Sequence, residues 1–269
     1  MSSSHHLNSE ESKQVKENAT KLLPELRKTL GDLAEDVSDE NLLKFLHWKP
    51  DVTRASERFK SHVQWRKANP FFMDDNPPLV SKDPTLKRLL ENEIIVSPKG
   101  YVDNEGNSVL FGRLRNNDMT DGRTPEEVVR MVLYMIDKVL ENENAQINGV
   151  TIFHDMKGLA RKNIHPTIPK LIIGAIIGNF PIRIQGMYVL NAPFFFFAIF
   201  KIVSLLMPVK LRQRIHFLKD LSEIPISKDN LLPEHGGTKE FDVKQWVQEQ
   251  IEREKNDSIS SLASIPISS

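Results

Sequence analysis

From residue 10 to about residue 70 the chain repeats apolar side chains at helical intervals. In NSEESKQVKENATKLLPELRKTL, Val15, Leu22, Leu23, Leu26 and Leu30 recur at roughly the spacing an amphipathic helix requires. Pro24 is expected to interrupt or kink that helix, because it lacks an amide donor. Ser38, Asp39 and Glu40 cap a second helix, SDENLLKFLHWK. A third, DVTRASERFKSHVQWRKAN, presents Val52, Ala55, Phe59, Val63 and Trp65 to a partner and stops at Asn69-Pro70. These runs predict a helical N-terminal subdomain over residues 1–75 and a proline-bearing linker over 76–85.

A second texture begins near residue 86. NEIIVSPKGYVDNEGNSVLFGRL places two extended runs around Asp103-Asn104-Glu105-Gly106, which is hairpin-turn chemistry. TPEEVVRMVLYMIDKVLENE predicts a helix with Thr124 as cap, Pro125 at the first position, and Val128, Val129, Val132, Leu133 and Ile136 on a broad apolar face. GVTIFHDM and IQGMYVLN read as buried strands, with an apolar helix between them over 166–179. Strands alternating with helices predict a mixed or parallel α/β sheet. This second unit spans residues 86–240, and 241–269 forms a C-terminal helix with a mobile Ser-rich tail.

The greasiest stretch is NAPFFFFAIFKIVSLLMPVK, residues 191–210. It approaches the length of a membrane span. Pro193 and Pro208 bracket it, however, leaving about fourteen helical residues, or roughly 21 Å. Lys201 at its centre would be costly in lipid. A plain core helix is the simpler reading, and charge bears on it. The chain of 269 residues is balanced, with 36 basic and 36 acidic side chains, which argues against a general polyanion binder. Yet from Met156 to Lys219 there is no acidic residue and there are ten basic ones: Lys157, Arg161, Lys162, Lys170, Arg183, Lys201, Lys210, Arg212, Arg214 and Lys219. Apolar insertion combined with basic attraction is the two-signal recipe for reversible binding to an anionic membrane.

The absence of cysteine removes disulfides, thiolate chemistry and Cys-based zinc sites. The first residues lack the apolar region of a signal peptide, so secretion is not expected, and His5 and His6 read as incidental rather than as a metal site. No G-x-S-x-G elbow, phosphate-binding loop, dinucleotide fingerprint or H-E-x-x-H occurs. His154 and Asp155 are adjacent in a strand, point to opposite faces and cannot form a dyad. Gly236-Gly237 reads as a turn. No catalysis, resident cofactor or metal is expected.

Four motifs in order resemble the CRAL-TRIO (Sec14-like) lipid-binding family. NLLKFLHWKPDVTRASERFKSHVQWRK resembles its helical signature, and NGVTIFHDMKG its central strand and turn. FPIRIQGMYVLNAPFFFFAIFKIV resembles its FP-R/N-P-F block, and LLPEHGGT its closing LP-E-GG element. They cover roughly residues 39–240. The resemblance implies an α/β CRAL-TRIO lobe with an all-helical N-terminal subdomain and a hydrophobic pocket. The helix from Phe194 to about Met207 would be its movable gate, with Phe194, Phe195, Phe196, Phe197, Phe200 and Val203 meeting lipid when it opens.

Position matching implies ligand contacts from Val129, Val132, Ile136, Val150, Ile152, His154, Ile172, Ala175, Ile182, Ile184, Phe194 and Phe197. Strand alternation independently puts Val150, Ile152 and His154 on one side. His154 is either a buried histidine satisfied by a neighbour, a hydrogen-bonding partner for a ligand hydroxyl or carbonyl, or, least favoured, a haem ligand. Lys49, Arg183, Lys210 and Arg214 match a phosphoinositide-binding cluster in the tocopherol-transfer branch, and a helix would put Lys210 and Arg214 on one face. Gln185 departs from that cluster. Ile182 replaces a glutamate usual in yeast-type phosphatidylinositol transfer proteins. The chain therefore resembles the animal tocopherol-transfer and retinaldehyde-binding type more than the yeast type. The expected function is binding a lipophilic ligand and transferring it between membranes, by a cytoplasmic, peripherally associated monomer. The alternative is a lipid-sensing adaptor that presents bound lipid to a protein partner. No nucleic-acid partner is expected.

Overall fold

The N-terminal helices form where the apolar repeats fall. The computed structural model describes residues 9–73, 79–238 and 240–257. Helix α1 (Ser9–Leu30) packs Ala19, Leu23, Leu26 and Leu30 against α2 (Asp39–Trp48) and α3 (Val52–Ala68). Ser38 caps α2 by accepting from the Asn41 amide at 3.3 Å, and Asp51 caps α3 through the Arg54 amide at 2.9 Å. The expected interruption at Pro24 does not occur, since α1 runs through it to Leu30. Pro24 lies on the exposed face, where water can meet the carbonyl that its ring leaves unbonded.

A short helix α4 (Pro70–Met73) and then α5 (Pro84–Glu91) lead into the second unit. The expected linker lies partly outside the described residues. Its remainder is anchored, since Val80 is buried in the main core and the Glu254 carboxylate accepts from the amides of Val80 and Ser81 at 3.0 and 2.8 Å. The expected Ser-rich tail lies outside the described residues from 258 onward.

Five strands form one sheet in chain order, β1 (Ile95–Val96), β2 (Ser108–Gly112), β3 (Val150–Asp155), β4 (Ile184–Leu190) and β5 (Ile215–Phe217). β1 and β2 are antiparallel and the rest are parallel, so the sheet is mixed. The expected turn is built on Asp103, whose carboxylate accepts from the amides of Glu105 and Asn107, both at 2.9 Å. Helix α6 (Pro125–Val139) starts with a capping box: Thr124 accepts from the Glu127 amide and Glu127 returns the bond to the Thr124 amide. Helices α7 (Glu143–Ile147), α8 (Thr167–Ile176), α9 (Phe194–Ser204) and α10 (Val209–Arg212) follow, and α11 (Val243–Asp257) packs on α5.

The pleat divides the sheet. Val109, Phe111 and Phe153 enter the main core with Leu86, Leu89 and α11's Val243, Val247 and Ile251. Leu110, Val150, Ile152 and His154 face the other way.

Candidate functional site

That second face floors a cavity of about 280 Å³. Its walls are Val128, Val132 and Ile136 of α6, and Ile168, Ile172 and Ile176 of α8; each set steps by four residues, one stripe of a helix. Helix α9 closes it with Phe196, Ile199, Phe200 and Val203, positions i, i+3, i+4 and i+7 of one helix face, and Met207 and Leu211 continue the cover. No Lys, Arg, Asp or Glu is among the described lining residues, whose polar side chains are Asn117, Asn163, His154 and His165.

The implied contacts fall in three groups. Val132, Ile136, Val150, Ile152, His154, Ile172, Ile182 and Ile184 line the cavity. Val129 and Ala175 do not; both are sealed in the core beneath it, one residue out of phase with the lining stripes. Phe194 and Phe197 do not either. Phe194 is 94% exposed, and Phe197 lies on the outer side against the ring of Phe217 at 5.0 Å. Of the four consecutive phenylalanines only Phe196 faces inward, while Phe195 packs against the cluster of Met156, Leu159 and Val189.

Outside, α9 and the turn after it expose Phe194, Ile202, Leu205 and Leu206 beside Lys201. Of the ten basic residues in the acid-free block, Lys162 alone makes an ion pair among the described residues, with Asp118 at 2.6 Å. Arg183 and Arg214 are brought together where β4 and β5 begin. Arg183 donates from Nη2 to the Gln146 carbonyl at 3.2 Å, and Arg214 donates to the Ile184 carbonyl. Lys49 follows α2 two residues after His47, whose Nδ1 meets Gln146 Oε1 at 2.6 Å, so α2 ends near the same end of the sheet. The expected shared face of Lys210 and Arg214 is not formed. Helix α10 stops at Arg212, and Arg214 lies at the entry to β5, so an i,i+4 helical relation does not apply.

His154 stands directly opposite Gly112 in the parallel β2–β3 pair. A β-carbon at Gly112 would fall 1.8 Å from His154 Nδ1, so the imidazole fills room that only glycine leaves. Nδ1 is sealed against β2 and has no hydrogen-bond partner of standard geometry among the described residues. Burial lowers the imidazole pKa to about 4, against a smaller opposite effect from the Gly112 carbonyl. Asp155, on the opposite face, accepts from Asn191 Nδ2 at 2.8 Å and lies 3.7 Å from His235.

At the strand ends, Glu234 of the closing loop bonds Arg113 at 2.7 Å and Arg115 at 2.6 Å, tying that loop to the segment after β2. Sequence reasoning missed Val128, Ile199 and Gly112, and gave Phe196, Phe200 and Val203 only as gate residues. Extending the four-residue step back from Ile136 and Val132 would have found Val128.

The CRAL/TRIO domain pattern matches residues 91–237, which hold this sheet, the cavity and its cover. The chain belongs to the CRAL/TRIO domain family. It is similar to "Alpha-tocopherol transfer protein-like" of Mus musculus, at 29% identity over 231 residues, covering 82% of this chain and 65% of the relative. The chain thus spans just under two thirds of that relative's length. Clavesin-1 of Xenopus laevis is 26% identical over 243 residues, 86% of this chain and 70% of the relative. The crystal structure of Sfh5 shares the fold with a TM-score of 0.52 at 14% identity, covering 93% of this chain and 99% of the other. No helix among the described residues is long and apolar enough to cross a membrane.

Proposed function

We propose that this chain takes up one lipophilic molecule in the cavity behind α9 and carries it between membranes, with α9 as a gate that opens on an anionic, phosphoinositide-bearing surface. The observation that carries the reading is that α9 is apolar on both sides: Phe196, Ile199 and Phe200 face the cavity, while Phe194 and Ile202 are 94% and 62% exposed. A helix satisfied by the closed protein alone needs one apolar face. A second apolar face beside unpaired basic residues fits insertion into an anionic interface. Ligand burial would contribute about 0.8 kcal/mol per CH₂, and a membrane could replace the contacts α9 loses on opening, so exchange needs no chemistry. The name of the relative "Alpha-tocopherol transfer protein-like" is in keeping with the same reading.

The test is Phe194→Asp with Leu205→Asp, both outside the cavity. Transfer of a fluorescent tocopherol analogue between vesicles should drop at least tenfold, with the amount of protein-bound analogue and the melting temperature unchanged. Unchanged transfer would overturn the gate, and intact uptake with no transfer by the unmodified chain would favour the adaptor reading.

A further inference from the structure

We propose that His154 is a specificity-determining residue of this cavity, selecting an uncharged lipophile that carries a hydroxyl over an equally apolar one that does not. The inference rests on the lipophile-binding reading above and goes beyond it by naming the ligand's polar group.

Its first support is the polar inventory of the walls. Asn117 donates to the Asn163 carbonyl at 3.0 Å, and its Oδ1 accepts from Arg123 at 3.3 Å. Asn163 Oδ1 accepts from the Ala160 amide at 2.7 Å, and its Nδ2 donates to the Arg115 carbonyl at 2.9 Å. His165 Nδ1 accepts from the Thr167 amide at 3.3 Å. Each of these side chains bonds the protein. His154 makes no side-chain bond of standard geometry among the described residues; its Nδ1 is turned to Gly112 and sealed, so Nε2 is the ring nitrogen left to meet a ligand in the cavity that the ring lines.

The second support is charge. With no ionised side chain on the described walls, a charged head inside the cavity would be desolvated without a counter-ion. Burial holds His154 neutral at ordinary pH, so it offers no positive charge either. A neutral imidazole has one donor and one acceptor nitrogen, and a hydroxyl, which both donates and accepts, can pair with either tautomer. Gly112 fixes the ring against β2, so the polar group sits at one place on the floor and a ligand hydroxyl must come to it.

The full chain, His154→Phe and His154→Gln are equilibrated with neutral phosphatidylcholine vesicles carrying either 1-hexadecanol or phytol, or the size-matched alkane of each. The readout is the ratio of protein-bound alcohol to protein-bound alkane, compared between variants so that vesicle partitioning cancels. For at least one alcohol, H154F should lower the ratio about tenfold, the scale of one net hydrogen bond, and H154Q should restore part of it. His154→Leu replaces H154F if the latter melts early. An unchanged ratio, with alkane bound by every form, overturns this inference alone. Failure of the unmodified chain to bind any of the probes overturns the lipophile reading and this one with it.

Discussion

Arg183 and Arg214 are like charges at the starting ends of β4 and β5, each bonded to a backbone carbonyl and neither to a carboxylate among the described residues. Burial, and after it the neighbouring Arg214 charge, pushes the Arg183 guanidinium below its ordinary value. Arg183 Nε has no hydrogen-bond partner among the described residues. Such a pair works against folding and is suited to an anion.

Replacing both with glutamine should therefore separate binding from stability. Each basic residue near an anionic surface contributes about 1 kcal/mol, so the double variant should lose about 2 kcal/mol, roughly thirtyfold, in binding vesicles that contain a phosphoinositide. Its salt dependence should flatten, and its melting temperature should hold or rise because like-charge repulsion is removed. Co-sedimentation at several salt concentrations checks this, and unaltered binding would remove the pair from the membrane surface.

His62 joins the helical subdomain to the lobe, with its ring edge-on to Phe45 at 5.8 Å and to Phe180 at 4.8 Å. Burial first, then the charges of Arg66 and Lys44, lower its pKa to about 3, while the Asn179 backbone opposes them. Asp137, which faces Lys44 and Arg66, has its own carboxyl pKa raised by burial. The unfolded chain protonates this histidine near 6.5 and the folded chain only near 3, so between those values the unfolded state binds the extra proton. The contribution to stability is complete above pH 6.5 and is lost as pH falls. His62→Phe should make the unfolding free energy between pH 6 and 4 shallower by up to about 1.4 kcal/mol per pH unit. His154 adds a slope of the same sign that should remain. Urea unfolding across this range is the measurement, and an unaltered slope would show that His62 titrates normally.

Local chemistry carried the parts that sequence reasoning placed well. The caps Ser38, Asp51 and Thr124 satisfy amides three residues away, and Val150, Ile152 and His154 share a face by strand alternation. What sequence did not reveal was tertiary. Helix α9 is apolar all round, so no periodicity said which phenylalanine turns inward. Val128 follows from the four-residue step through Val132 and Ile136, but Val129 beside it on the same apolar face is sealed in the core, and the packing of α6 decides how far the lining stripe extends. Nothing along the chain connects Gly112 to His154, because their pairing is a property of the sheet register. The family's motifs could place the cationic cluster but not its geometry, since α10 ends before Arg214.

The closing loop tests whether a glycine is kept for its backbone angle or for its lack of volume. Gly236 has φ +80°, and a β-carbon there would meet nothing within 4 Å. Gly236→Ala should thus carry only the left-handed penalty, about 1 kcal/mol. A β-carbon on Gly237 would fall 1.7 Å from the Leu231 carbonyl oxygen. That carbonyl belongs to buried backbone beside Leu232, which accepts from the Gly237 amide at 3.1 Å. The clash cannot be relieved by turning a side chain, so the loop itself must move, and with it Glu234, which Arg113 and Arg115 hold. Gly237→Ala should accordingly cost about 3 kcal/mol or more, well beyond its neighbour. Urea midpoints of the two variants decide it: equal, small losses would mean that the loop makes room for a β-carbon at the second glycine at little cost.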